Sequence, residues 1–105
     1  MSIEQIQLLV GKEQEVIIPY GDATLRLTLQ FDDYNIQWFC NIINEATQEV
    51  IVNGIYLKLG SDALFGLGFD FGSLGLIDTD PTNIIPIDLK NDLGDRVQLI
   101  RDFNA

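Results

Sequence analysis

Histidine is absent from this 105-residue sequence, and cysteine occurs only once, as Cys40. Without histidine the chain has neither a histidine general base nor a histidine metal ligand, which excludes the commonest hydrolase and zinc-site chemistries. A single cysteine cannot form a disulfide within the chain. Because Cys40 falls in an apolar strand pattern, we expect a buried and unreactive thiol.

Basic residues are also scarce. The 6 lysines and arginines stand against 16 aspartates and glutamates, which gives a formal net charge of -10. Nucleic-acid binding through phosphates and adhesion to anionic membranes both need clustered positive charge, so the sequence predicts neither partner. The acidity is interpreted as solubility through self-repulsion or, more sharply, as a surface that must not adhere to DNA.

No apolar run approaches the roughly 20 residues that cross a bilayer, and the first ten residues lack the pattern of a signal peptide. We therefore expect a soluble protein made in a cytoplasm. Paired carboxylates occur at Asp32-Asp33 and at Asp78 and Asp80, in turns with no apolar shell to raise a pKa. The sequence therefore predicts no enzyme and no cofactor.

What the sequence does contain is the period-two alternation of β-strands. Apolar and polar residues alternate strictly over 23–31, and the alternation recurs over 36–43. Such alternation indicates strands with one buried face, and consecutive strands of this kind predict an antiparallel meander. The residues expected in its core are Leu25, Leu27, Leu29, Trp38, Cys40 and Ile42.

Further strands are predicted from shorter apolar runs. Runs at 5–10 and 15–18 are joined either by a hairpin turn at 11–14 or by a longer connection. Short strands are expected at 74–77 and at 96–103, the last one closing a sheet or pairing with the first strand. Because 105 residues can bury one core and not two, we expect a single β-domain over 1–105. The fold class is all-β, mainly antiparallel, as a small barrel or sandwich.

The stretch 49–68 is the centre of this prediction. Gly54 interrupts an alternating strand, which predicts a bulge or bend with a positive φ, so that one β-segment serves two parts of the sheet or barrel. Ser61 and Asp62 can cap one short helix near residues 61–66. The glycines that follow fit neither a dinucleotide fingerprint nor a phosphate loop.

The segment 78–95 is irregular and acidic. A calcium loop is faintly suggested, but Lys90 occupies a ligand position and no glutamate closes the loop, so no metal site is predicted. We expect a solvated surface loop whose carboxylates contribute little to stability. These carboxylates are Asp78, Asp80, Asp88, Asp92 and Asp95.

Several large apolar side chains fall where the alternation does not bury them. Either a second sheet or another protein can cover such residues, and the sequence favours neither. Under the second alternative they are candidate protein-contact residues. They are Phe39, Ile43, Tyr56, Phe69 and Phe71.

The order of the segments carries a family resemblance. A strand LRLTLQF precedes a strand with Trp38, the run GIYLKLGSDAL begins at Gly54, and DLGD leads into the final strand RVQLIRDF. Over roughly 16–103 the chain resembles the small plug protein at the centre of the baseplate of contractile-tailed bacteriophages, of the cyanophage type.

The resemblance implies a structural virion protein with a β-barrel or sandwich fold and no catalytic residues. It implies a place in the tail baseplate at the tube/hub-spike junction, after assembly in the host cytoplasm. The implied partners are the hub, spike and tube or sheath initiator proteins, together with further copies as a homo-oligomer. The acidic segment is then expected to face the channel or an adjoining basic rim without binding DNA. The alternative is a small acidic module that masks or regulates a basic partner.

Overall fold

A computed structural model describes residues 2–20, 22–60, 62 and 73–103, which form seven strands and one short helix. Every pairing between these strands is antiparallel, which confirms the predicted all-β, mainly antiparallel class. The elements are β1 (Ser2–Ile6), β2 (Gln14–Tyr20), β3 (Ala23–Asp32), β4 (Gln37–Asn44), β5 (Val50–Leu57), β6 (Ser73–Asp78), α1 (Leu89–Asp92) and β7 (Val97–Phe103).

The four strands β2 to β5 form one sheet in chain order, which is the predicted meander. Its inner face carries all six of the predicted core residues, each no more than 2% exposed. Strand β4 begins one residue later than predicted. Ile36 lies in the β3–β4 turn with φ +54° and is 63% exposed. The turn forms because Oδ1 of Asp32 accepts hydrogen bonds from the backbone N–H groups of Tyr34 and Asn35.

The second sheet has the order β1-β7-β6. The last strand pairs with the first, and Ser2 lies opposite Phe103. This pairing is one of the two alternatives that the sequence predicted for the last strand. The hairpin alternative for the first two strands is wrong, because β1 and β2 belong to different sheets. The connection between them is held by the Gln14 side chain, which accepts from Leu9 N and donates to Leu9 O.

The two sheets share one hydrophobic core and are not closed into a barrel, so the barrel alternative is wrong. Leu27 and Trp38 of the first sheet belong to the same buried cluster as Leu76 and Leu99 of the second. Burying one such side chain completely contributes about 1.5–3 kcal/mol relative to leaving it in water.

The predicted bulge lies at Gly54, which has φ +75°. Cys40 pairs with Ile55 and Ile42 pairs with Val52, so two residues of β5 face the single residue Asn41 of β4. The Asn41 side chain accepts a hydrogen bond of 2.6 Å from Gly54 N. The bulge therefore shifts the register of β5 where the sequence placed the irregularity.

The chain beyond β5 does reach the other sheet. Gly60 N donates to Leu76 O at 2.9 Å, and Leu76 N donates to Lys58 O at 3.4 Å. One continuous segment therefore serves both sheets, as predicted, but it changes sheet at 58–60 and not at Gly54.

The helix predicted near residues 61–66 lies outside the described residues except at Asp62, whose carboxylate accepts a hydrogen bond from Leu74 N. The helix that the structure describes is α1. Asp88 caps it by accepting from Asn91 N, while Asp88 N donates to Oδ2 of Asp92 at 2.9 Å. Trp38 Nε1 donates to Leu89 O at 2.5 Å and fixes α1 against the sheet.

Candidate protein-contact surface

The outer face of the four-stranded sheet carries the described members of the predicted contact set. Phe39 and Ile43 lie on β4 and are partly buried, while Tyr56 on β5 is 38% exposed. The rings of Phe39 and Tyr56 meet edge to face with centroids 6.3 Å apart. The other two members, Phe69 and Phe71, lie outside the described residues.

The register places a row of four residues across this face. Ile17 pairs with Arg26, Arg26 with Ile43, and Ile43 with Val50, one residue from each strand of the sheet. Ile17 is 57% exposed and Val50 is 59% exposed. We call these four residues the outer row. Since the second sheet packs on the opposite face, the outer row presents apolar side chains that another protein can cover.

Sequence reasoning missed Ile17 and Val50. Ile17 is the out-of-phase residue between the inward Val16 and the buried Ile18, a signal that the 15–18 run does contain. Val50 precedes the buried Val52 by two residues, so simple alternation would place both side chains on the inner face. A second register shift in β5 turns Val50 outward. Only the pairing register shows that the two residues belong to the same row.

Arg26 provides the polar centre of the outer row. Its Nη2 donates to Oε1 of Glu45, and its Nη1 lies 3.5 Å from Oε2 of Glu15. The hydrogen bond to Glu45, followed by the charges of both glutamates, raises the pKa of Arg26, although desolvation opposes this. Among the described residues, Arg26 Nε and Oε2 of Glu45 are buried without a hydrogen-bond partner. The pair therefore keeps one donor and one acceptor unused.

A hollow lies at the end of the outer face, beside the β3–β4 turn. Its volume is about 520 Å³, and we call it the aromatic–acidic pocket. Three aromatic side chains and two carboxylates give it its chemistry. The residues that line it are Phe31, Asp32, Asp33, Phe39, Gly54 and Tyr56.

Asp32 is fixed in this pocket by four donors. Its Oδ1 accepts from the backbone of Tyr34 and Asn35, and its Oδ2 accepts from Asn35 Nδ2 and Tyr56 Oη, both at 2.8 Å. The side-chain hydrogen bond from Asn35, then that from Tyr56, lowers the pKa of Asp32. The pocket therefore holds a fixed negative charge at neutral pH.

The acidic segment is only partly a solvated loop. Asp78 pairs with Arg96, and Arg96 Nη1 donates to Ile85 O at 2.6 Å. Asp80, Asp92, Asp95 and Arg96 line a common hollow of about 420 Å³. The prediction of uniformly solvated carboxylates is wrong at Asp78, which is tied into the structure by this ion pair.

Three of the remaining carboxylates of the segment also have hydrogen-bond partners of their own. At the start of α1, Asp88 N donates to the Asp92 carboxylate, and the Asp88 carboxylate accepts from the Asn91 side chain. The hydrogen bond from the Asn91 side chain, followed by that from the Asn91 backbone, lowers the pKa of Asp88. Asp80 Oδ2 accepts from Asn83 at the surface. The structure thus gathers four of the five aspartates around Arg96 and places the fifth, Asp88, at the helix cap.

A sequence model of the family described as the cyanophage baseplate Pam3 plug gp18 matches residues 3–102. The chain belongs to this family. The match confirms the predicted resemblance to a baseplate plug of contractile phage tails and extends over nearly the whole chain. A comparison with curated proteins found no match.

Two further observations describe this baseplate plug protein. Among the residues described, no three acidic or cysteine side chains are placed to hold a metal ion together. Within the same described residues, no helix has the length and apolar character required to cross a membrane. The family name points to a structural component of the tail baseplate.

Proposed function

We propose that this protein is a single-domain plug at the tube/hub-spike junction of a contractile phage tail, present in several copies around the tail axis. It acts through contacts and not through catalysis, and its neighbours are the hub, spike and tube or sheath initiator proteins. The observation that carries the proposal is the match to the baseplate plug family over 3–102.

The outer row supports a role in assembly. Ile17 and Val50 are more than half exposed, and the Arg26 side chain between them is 30% exposed. Partly apolar patches of this kind are typical of protein contacts. We expect hub or tube proteins, or a second copy of the plug, to cover this row in the virion.

The position is tested by imaging virions that carry an epitope-tagged plug. Negative-stain images with a bound antibody should show the label on the tail axis, at the upper end of the baseplate. A label on the capsid, on the fibres or on no part of the virion would contradict the proposed position.

The contact surface is tested by Ile17→Asp, which adds a charge to the outer row. The variant should fold, because more than half of the Ile17 side chain is already exposed, and should fail to enter assembled baseplates. Ile84→Asp is the matched control, since Ile84 is 97% exposed in the loop before α1. Normal incorporation of the Ile17 variant would exclude the outer row from the interface.

The acidic segment is proposed to face the DNA channel or an adjoining basic rim. Duplex DNA carries one negative charge per roughly 1.7 Å of axis, so an acidic lining would repel it within a Debye length of about 8 Å. Changing Asp80 and Asp95 to Asn removes two charges and keeps the Asp78–Arg96 pair. Slower DNA ejection or weaker docking is expected, and wild-type ejection and infection would favour a plain solvated loop.

A further inference from the structure

We propose that the aromatic–acidic pocket binds an arginine side chain of a neighbouring baseplate protein. This inference rests on the proposed function, because it assigns a partner chemistry to one end of the same outer face. It is a separate claim from the location of the plug, since the pocket is complete within one chain.

The aromatic side of the pocket fits a guanidinium group. Phe39 and Tyr56 meet at an interplanar angle of 70°, so their rings form a corner and do not stack on each other. A planar, weakly hydrated guanidinium can stack on an aromatic ring and still direct its N–H groups sideways. Gly54 contributes no side chain to the wall, and a Cβ built there would meet nothing within 4 Å.

The charge around the pocket selects a cation. Asp32 and Asp33 line it, and Oε2 of Glu13 accepts a hydrogen bond from Phe31 N beside it. An anionic ligand would be repelled by these three carboxylates. A purely apolar ligand would remove water from them without replacing their hydrogen bonds, which is unfavourable.

The two aspartates would have different parts in binding. Asp32 already accepts four hydrogen bonds, about the number its lone pairs allow, so it contributes a fixed charge and no further acceptor. Asp33 is the acceptor. Its side chain is 77% exposed and its Oδ1 binds Lys90 Nζ at 3.0 Å, while no partner of its Oδ2 is found in the described part of the chain.

Lys90 already demonstrates this chemistry at the rim of the pocket. Its ammonium pairs with Asp33 and lies 5.6 Å from the centroid of the Phe31 ring. One internal lysine against three carboxylates leaves a local excess of negative charge. An incoming arginine is favoured over a second lysine, because an ammonium is more strongly hydrated and does not stack on the rings.

The test uses the whole isolated chain and N-acetyl-arginine amide as the probe, followed by NMR of the aromatic rings. Saturable shifts of the Phe39 and Tyr56 ring signals are expected. The citrulline analogue has nearly the same shape without the charge and should bind at least about tenfold more weakly, as expected for the loss of a charged hydrogen-bonded contact. Equal binding of the two probes, or shifts confined to other residues, would overturn the proposal.

Two variants with matched controls complete the test. Phe39→Leu should weaken arginine binding about two- to fivefold. Asp33→Asn, as a separate variant, should weaken arginine binding more than Phe39→Leu does. Tyr34→Leu is the aromatic control, because Tyr34 is 93% exposed outside the pocket, and Glu49→Gln is the charge control. Unchanged affinity in both pocket variants would reject the site.

The outcome is separable from the proposed function. A plug that is labelled on the tail axis but binds no arginine probe would keep its place in the baseplate and lose this pocket. Preferential binding of N-acetyl-lysine amide would show that the pocket takes cations but would contradict the choice of arginine.

Discussion

Asp78 and Arg96 form a two-point ion pair between the end of β6 and the turn before β7. Arg96 Nε donates to Oδ1 of Asp78 at 2.9 Å, and Arg96 Nη2 donates to Oδ2 at 3.1 Å. The Arg96 side chain is 13% exposed and the Asp78 side chain is 19% exposed. The hydrogen bond from Arg96 is the largest cause that lowers the pKa of Asp78. The geometry is the bidentate one that gives arginine–carboxylate pairs their strength.

This pair predicts a change in stability at low pH. Because the folded-state pKa of Asp78 is lowered, its contribution is present above the ordinary value of 3.8 and is lost as pH falls through the lowered folded-state pKa. Asp78→Asn should therefore lower the melting temperature at pH 7. The melting temperature of the variant should also fall less than that of the wild type as the pH is lowered. Asp95→Asn is the control within the same segment. Identical pH profiles for the wild type and Asp78→Asn would show that the pair contributes nothing.

Leu27 tests the core. It is 1% exposed and lies opposite Val16 and Ile42 on the inner face. Leu27→Ala should cost about 2–5 kcal/mol through lost burial and the cavity left behind. Leu27→Asp should abolish cooperative unfolding, because an unpaired charge cannot be buried there. Gln30→Asp, on the wet face of the same strand, should unfold at nearly the wild-type denaturant concentration.

The residues Leu27 and Trp38 were predictable because alternation reports directly which face of a strand is buried. Ile17 and Val50 were not, because their proximity depends on two pairing registers and on a bulge. The helix cap at Asp88 was not predicted, because it lies in a segment with two prolines whose composition is typical of a loop. The aromatic–acidic pocket combines residues of three strands and one turn, so no local pattern contains it.

Two glycines with positive φ should respond differently to substitution. At Gly54 a Cβ would meet no atom within 4 Å, so Gly54→Ala should cost only backbone strain, about 1 kcal/mol. At Gly94, with φ +88°, a Cβ would lie 2.8 Å from Leu9 O. Gly94→Ala should therefore cost about 2–4 kcal/mol, strain and overlap together. Equal losses in urea titrations would contradict this difference.

Cys40 should be chemically silent in the folded protein. It is fully buried, and desolvation raises the pKa of its thiol to about 12, which removes the reactive thiolate near neutral pH. A chromogenic thiol reagent at pH 8 should react only at the rate of unfolding, and in denaturant it should titrate one thiol per chain. Rapid reaction of the native protein would show that the β3–β4 core opens locally.

The pairing of Ser2 with Phe103 has a kinetic consequence. The hairpins of the meander join neighbours in sequence, whereas β1 and β7 can meet only after a loop of nearly the entire chain has closed. Closing such a loop costs more entropy before any contact is gained, so pairings of this kind form late. We expect mutations in the meander core to slow refolding, and mutations at Ile6 or Leu99 mainly to accelerate unfolding. The pairing of β1 with β7 would then be the last step in the folding of the plug.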